Sequence, residues 1–197
     1  VDPVVYCAGR LISDTGAHNT IIVDGTGQPG NPGSEGDGTG AIVKYQAGPY
    51  YTYAVGDASD PYHVNAPYET TSKLNTFQRE LVHVKPDVVV VYDRITPIDP
   101  NYDIEYRLHS RYAPTVAGDQ VTSTNNGGKI FQRTLLPADH VITVVDESTE
   151  YRARNPDDQY RIELRPATRR PNRQFLNVLY AATSSAVSMP PVENARK

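Results

Sequence analysis

Tryptophan is absent from this 197-residue sequence, cysteine and methionine occur once each, and phenylalanine occurs three times. A lone thiol, Cys7, excludes an intrachain disulfide and reads as a small, partly buried hydrophobe. No apolar run exceeds Val88 to Tyr92, far short of the roughly 20 residues a membrane-spanning helix requires, so a soluble chain with no membrane partner is expected. No Lys/Arg-rich run is present either. With 19 basic residues against 23 acidic ones and a net charge of −4, nucleic acid is not an expected partner. No segment sustains a 3.6-residue apolar period, which argues against helices. The start, Val1-Asp2-Pro3, carries neither an initiator Met nor the charged and apolar regions of a signal peptide, so the chain reads as a piece of a longer protein.

What is present is strand. Thr20 to Asp24, Ala41 to Gln46, Tyr50 to Val55, Thr76 to Val84, Asp87 to Ile95, Asp103 to Tyr112, Lys129 to Leu135, His140 to Asp146, Tyr160 to Arg165 and Gln174 to Ala181 are rich in β-branched and aromatic residues. Sixteen prolines and 14 glycines punctuate them. Phe77 to Val84 alternates, as a half-covered strand does, whereas Val88 to Val91 is apolar on both faces and suits a strand covered from both sides. The short Lys85-Pro86-Asp87 connection predicts an antiparallel hairpin between them. The expected fold is an all-β antiparallel sandwich forming a single domain over residues 1–197, large enough to bury about 70 % of its unfolded surface. Gly25 to Gly40 and Gly56 to Lys73 read as long loops, the first without calcium-loop spacing, and the polar tail Pro190 to Lys197 ends without an obvious structural close.

The segment Ala17-His18-Asn19-Thr20-Ile21-Ile22-Val23-Asp24-Gly25, followed by Gly27-Gln28, sets an imidazole and a carboxamide at the mouth of an apolar strand. It resembles the opening strand of the β-sandwich domain in heparinase II/III-like polysaccharide lyases. Three further pieces are similar to that family and fall in the same order. They are Gly56-Asp57-Ala58-Ser59 with Tyr62, the hairpin from Phe77-Gln78-Arg79 to Val91-Tyr92-Asp93-Arg94, and Tyr106-Arg107-Leu108-His109. The resemblance spans residues 17 to 109. Residues 110 to 197 add only generic strands.

The resemblance implies the C-terminal "super-sandwich" of a two-part enzyme, truncated here. Its missing partner is an N-terminal α/α toroid, and an anionic polysaccharide such as alginate or a glycosaminoglycan lies between the two parts. Cleavage is by β-elimination at a uronate: the carboxylate is neutralised, the C5 proton removed, and the leaving oxygen protonated by side chains such as Tyr and His. In the family most of that equipment sits on the toroid, so the isolated chain is expected to be inactive, with His18 an auxiliary catalytic residue. In several members the corresponding His also helps to bind a zinc ion. Here Asp2 is the one available upstream carboxylate, and the companion His is missing, which leaves fewer ligands than zinc normally takes. The alternative for His18 is a structural histidine at the sandwich surface, with Asn19 stabilising the local turn.

Other candidates come from pattern. Arg107, His109 and Arg111 alternate on one strand and, if that face is outward, form a positive strip for a carboxylated or sulfated sugar. A solvated polar sheet face is the competing account, as it is for the second basic cluster of Arg165, Arg169, Arg170 and Arg173. His83 and His140 read as structural histidines. Fourteen tyrosines include Tyr50, Tyr51 and Tyr53 on one strand and Tyr62 and Tyr68 in the next loop, candidates for stacking on sugar rings. Three functions follow as alternatives: a lyase sandwich domain acting on uronate-containing polysaccharide, a non-catalytic carbohydrate-binding module, and an extracellular assembly subunit pairing through strand edges. A secreted or periplasmic location is implied by the resemblance alone.

Overall fold

The computed structural model describes residues 15–28, 40–66, 69–148 and 159–194, with side chains described outside 63–71. Asp2, Cys7 and Tyr68 therefore lie outside the described residues or side chains. Within them the chain is all β apart from two single turns of 3₁₀ helix, Thr15–Ala17 and Asp60–Tyr62. The strands are β1 (Ile21–Val23), β2 (Ala41–Ala47), β3 (Tyr51–Asp57), β4 (His63–Ala66), β5 (Glu69–Ser72), β6 (Leu74–Val84) and β7 (Val88–Pro97). They continue with β8 (Ile104–Ser110), β9 (Thr115–Ala117), β10 (Gln120–Asn125), β11 (Gly128–Leu136), β12 (His140–Asp146), β13 (Tyr160–Pro166) and β14 (Arg173–Thr183).

Two antiparallel sheets face each other. The smaller has the order β1-β8-β13-β12 and the larger β2-β3-β6-β7-β14-β11-β10-β9, while β4 and β5 form a separate hairpin. Period-two alternation assigns the faces. Phe77 on β6, Val91 and Ile95 on β7 and Phe175 on β14 point inward from the large sheet, and Ile21, Val23, Ile104, Tyr106 and Leu164 meet them from the small one. Burying a side chain of this size contributes about 1.5–3 kcal/mol, so this shared layer is the main cohesive element.

The hairpin expected around Lys85 to Asp87 is present, with Val84 opposite Val88 and Leu81 opposite Val91. The run Val88 to Val91 is apolar on both faces for the expected reason. Val89 and Val91 belong to the inter-sheet core, and Val88 and Val90 join a second apolar cluster on the outer face with Phe131, Val178 and Met189. Residues 184–194 supply the cover there, since Ala186, Met189 and Val192 pack on β11 and β14. The polar reading of the tail missed this because only isolated apolar residues make the contact.

Two expectations need correction. Gly56 to Lys73 is not wholly loop: β3 runs through Asp57, the 3₁₀ turn follows, and β4 and β5 pair His63 with Ser72. The segment 113–128, read as connection, contains β9 and β10. These strands escaped notice because they sit at the edge of the large sheet, where Val121 is the one residue of β9 and β10 that is buried, so no apolar alternation marks them.

Candidate functional site

The AHNT strand is built by its own sequence. Asp24 and Gly25 both adopt positive φ, 48° and 72°, the pairing that a tight turn of type I′ requires and that Asp-Gly supplies at low cost. Val23 N donates to Thr26 O at 2.8 Å and Thr26 N to Val23 O at 3.0 Å, closing the turn. The chain then returns beside its own start: Gln28 N donates to Thr15 Oγ1 at 2.7 Å. Gly27 makes this approach possible, because a Cβ there would lie 2.2 Å from Thr15 Cβ. Gly27→Ala is expected to displace the 3₁₀ turn and to cost about 1–3 kcal/mol, read from urea unfolding. Unchanged stability would show that Thr15 does not hold the turn.

The four pieces of sequence similar to the lyase family converge on this strand. From the second, Asp57 Oδ1 accepts from Ser59 N at 3.0 Å and from Ser59 Oγ at 2.6 Å, and Ser59 Oγ in turn accepts from Phe77 N at 2.9 Å. Those bonds hold the Asp57 carboxyl below its usual range and set the 3₁₀ turn under β1. There the buried Tyr62 hydroxyl donates to Ile21 O at 2.7 Å. From the third, Arg79 Nε and Nη2 reach the two oxygens of the fully buried Asp93, each at 2.7 Å. Its third nitrogen, Nη1, donates to Asn19 O at 2.6 Å. The guanidinium also lies 5.6 Å from the ring centres of Phe77 and Tyr106. Burial opposes its charge, but Asp93 outweighs burial and leaves its pKa raised. Burial likewise pushes the Tyr62 and Tyr106 hydroxyls up to about 12.

Asn19, fixed by its backbone, uses its side chain on the fourth piece. Asn19 Oδ1 accepts from His109 N at 2.9 Å and lies 3.2 Å from His109 Nδ1. The His109 ring is pushed down to about 4, first by burial and then by Arg107 and Arg161, with a hydrogen bond to the Gly16 carbonyl pulling the other way. Histidine 109 is therefore neutral at physiological pH. It opens onto a groove of about 510 Å³ at one end of the sandwich. Asn19, His109, Ser110, Arg111, Ser123, Asn125 and Lys129 supply its polar lining, and Leu108, Ile130 and Leu179 line its apolar part. Ser123 and Asn125 come from β10, the strand that left no signal in the sequence.

The remaining candidates fall elsewhere. Arg107 does lie on the outward face of the small sheet, but among paired charges. It bonds Glu105, Arg165 bonds Glu105 and Glu163, and Arg161 bonds Glu147 and Glu163. These three guanidiniums meet Glu105, Glu147, Glu163 and, for Arg165, Asp103 at 3.6 Å, so the Arg107 end of the strip is neutralised. Tyr51 and Tyr53 share the face of the large sheet that bears Glu80, opposite to Arg79, and Tyr53 donates to Glu80 Oε2 at 2.8 Å. They do not reach the His109 groove. Tyr62 spends both ring and hydroxyl inside the fold. His83 and His140 each pair with a backbone carbonyl, of Pro86 and Pro137 respectively. His18 neighbours His109 in the chain segment over β8, close enough to act on its charge. Among the described residues no group of three or more His, Cys, Asp or Glu side chains is placed to hold a metal ion. His18 is the described member of the expected zinc pair, and Asp2 lies outside the described residues.

No family model matches this sequence, and no curated protein matches it. Solved structures do match the fold. A heparan sulfate lyase mutant from Pedobacter heparinus superposes with a TM-score of 0.65 at 13% identity, over 93% of this chain and 28% of that one. A heparinase III with methylated lysines gives 0.65 at 12% identity over 93% and 27%, and another heparinase III gives 0.61 at 11% over 87% and 24%. The chain thus spans about a quarter of the length of these lyases. It is a distant structural match to heparinase II/III-like lyases, sharing with part of each an antiparallel β-sandwich.

Proposed function

We propose that this chain is the β-sandwich part of a heparinase II/III-like polysaccharide lyase and forms one wall of a cleft for uronate-containing polysaccharide, alginate or a glycosaminoglycan. The observation that carries the reading is that three separated sequence pieces meet at Asn19, through Arg79 and His109, at the mouth of a groove that also holds Arg111. An α/α toroid is the partner that completes the cleft, and the work is done outside the cytoplasm, secreted or periplasmic.

The chemistry follows from the groove's own residues. Arg111 presents a guanidinium, the group best suited to a carboxylate or sulfate by paired N–H donors. His109, neutral and held by Asn19, shapes the groove wall without adding charge. Leu108 and Ile130 give the apolar faces of a pyranose a surface. Proton removal at C5 needs groups supplied from the toroid side, to which His18 is an auxiliary. A zinc ion on His18 needs ligands beyond the described residues, and no step is routed through it.

The test is binding of the 197-residue chain to alginate, heparan sulfate and a neutral glucan by titration calorimetry, with absorbance of unsaturated uronate followed in parallel. Salt-sensitive binding to an anionic polymer without product absorbance is expected, weakened about tenfold by Arg111→Gln, which corresponds to about 1.4 kcal/mol. Equal affinity for the neutral glucan, or binding indifferent to Arg111→Gln, would overturn the reading.

A further inference from the structure

A second groove, of about 490 Å³, lies at the other end of the sandwich, where β11, β13 and β14 meet. Arg173 begins β14 and Ala181, in the His109 groove, lies eight residues along the same strand, so the two are separated by roughly 27 Å at ~3.4 Å per residue.

Arg173 is 3% exposed and forms no salt bridge among the described residues, Asp103 and Asp139 acting on its charge only at longer range. Its Nη2 donates to Pro100 O at 3.1 Å, while Nη1 is buried without a hydrogen-bond partner. Burial is the largest cause that pushes the guanidinium's pKa down; Asp103 and Asp139 oppose it, and Arg169 and Arg170 add to it. A buried cation with a donor left unmet is costly, and buried charges are ordinarily paired. The one carboxylate in the lining, Asp139, is engaged: its Oδ2 accepts from Thr168 N at 3.1 Å and lies 3.5 Å from Arg170 Nη2. Asp139 Oδ1 has no partner. The groove therefore joins an unmet donor on a cation without a salt bridge to an unmet acceptor, with Asn172, Gln174 and Asn194 around them.

We propose that this groove is an oxyanion site: Arg173 Nη1 and the Arg170 guanidinium take a sulfate or carboxylate, and Asp139 Oδ1 accepts from a hydroxyl beside it. The donor–acceptor pair fits an anionic sugar unit, and the same cations fit a free tetrahedral anion. The assignment stands independently of the reading of the His109 groove.

The experiment titrates the 197-residue chain with sodium sulfate at constant ionic strength, balanced with chloride, and follows the thermal midpoint. In parallel, calorimetry follows a glucuronate-containing tetrasaccharide. A saturable sulfate response is expected, weakened at least threefold by Arg170→Gln and at least tenfold by Arg173→Gln. Arg170 is largely exposed, so Arg170→Gln remains informative if Arg173→Gln does not fold. Tighter binding of the tetrasaccharide than of sulfate, lost in the same variants, assigns the site to a sugar-borne anion; a response to sulfate alone assigns it to the free ion. Both support an oxyanion site. A response that never saturates, or one that survives Arg170→Gln and disappears with Arg111→Gln, overturns it.

Discussion

Asp93→Ala will cost the fold about 3–5 kcal/mol, because it leaves the Arg79 guanidinium desolvated and unpaired at the centre of the sandwich. Asp93 is fully buried and accepts two 2.7 Å bonds from Arg79, which itself is mostly covered by Phe77 and Tyr106. Domains of this size are stable by about 5–15 kcal/mol, so a loss of that magnitude takes at least a fifth of the total and threatens folding at body temperature. Urea unfolding followed by far-ultraviolet dichroism reads the change as a shift of the midpoint. The double variant Arg79→Met with Asp93→Leu separates the two contributions. Replacing both charges by apolar side chains removes the unpaired ion, so it should recover much of the stability while still losing the Arg79 bond to Asn19 O. A loss of less than about 1 kcal/mol for Asp93→Ala would mean that Arg79 finds water or another acceptor, and the anchoring of Asn19 would have to be explained otherwise.

Acidification from pH 7 to pH 4 will remove about 3 kcal/mol through His109 alone. The folded ring titrates at about 4 against an ordinary value of 6.5, chiefly because it is buried and secondarily because Arg107 and Arg161 repel its protonated form. A histidine whose folded value is depressed binds its proton more readily in the unfolded chain. Stability is therefore complete above about pH 6.5, falls as pH drops through the window between 6.5 and 4, and changes no further through this group below that. His109→Gln keeps a polar side chain near Asn19 and cannot titrate, so the difference between the two pH profiles isolates the ring. Carboxylates such as Asp57, held low by Ser59, lose their contribution only at more acidic pH and are common to both proteins. Histidine resonances followed by NMR give the same answer directly. A His109 midpoint near 6.5, or identical profiles for the two proteins, would show that the ring is solvated and the groove open around it.

Both results bear on the proposed function through one chain of contacts. Arg79 holds the Asn19 backbone, Asn19 holds His109, and His109 lines the groove with Arg111. The residues that carry the resemblance to lyases thus divide into two kinds. Tyr62, Asp57, Ser59, Arg79 and Asp93 are spent inside the fold, and Asn19 and His109 are delivered to its surface by them.

Much of this was legible in the chain itself. Alternation of Phe77, Arg79 and Leu81 with Gln78, Glu80 and Val82 marked β6, and the continuous valines marked a strand covered on both sides. These are local properties, set by the two-residue period of a strand, and they need no knowledge of distant residues. The polar edge strands β9 and β10 and the apolar underside of residues 184–194 were not legible. Their few buried side chains, Val121 and Met189 among them, make no periodic pattern.

Which charges meet was decided by tertiary structure alone. Arg107 and Arg111 look alike along β8, yet Glu105 and the β13 network neutralise the first. Arg79 reaches a carbonyl 60 positions away, Asn19 binds a histidine 90 positions away, and Arg173 Nη1 is left without a hydrogen-bond partner. Such pairings depend on strand order and register, and with them on the depth at which each group leaves water. Burial sets the cost of a lone charge and the value of a paired one. Residue pattern alone was therefore enough for an all-β chain and for the strand of the AHNT segment. The tertiary structure decided that Asn19, His109 and Arg111 share a groove, because pairing of β1 with β8 brings Asn19 to His109 and packing of the large sheet against them buries the Arg79–Asp93 pair that holds Asn19.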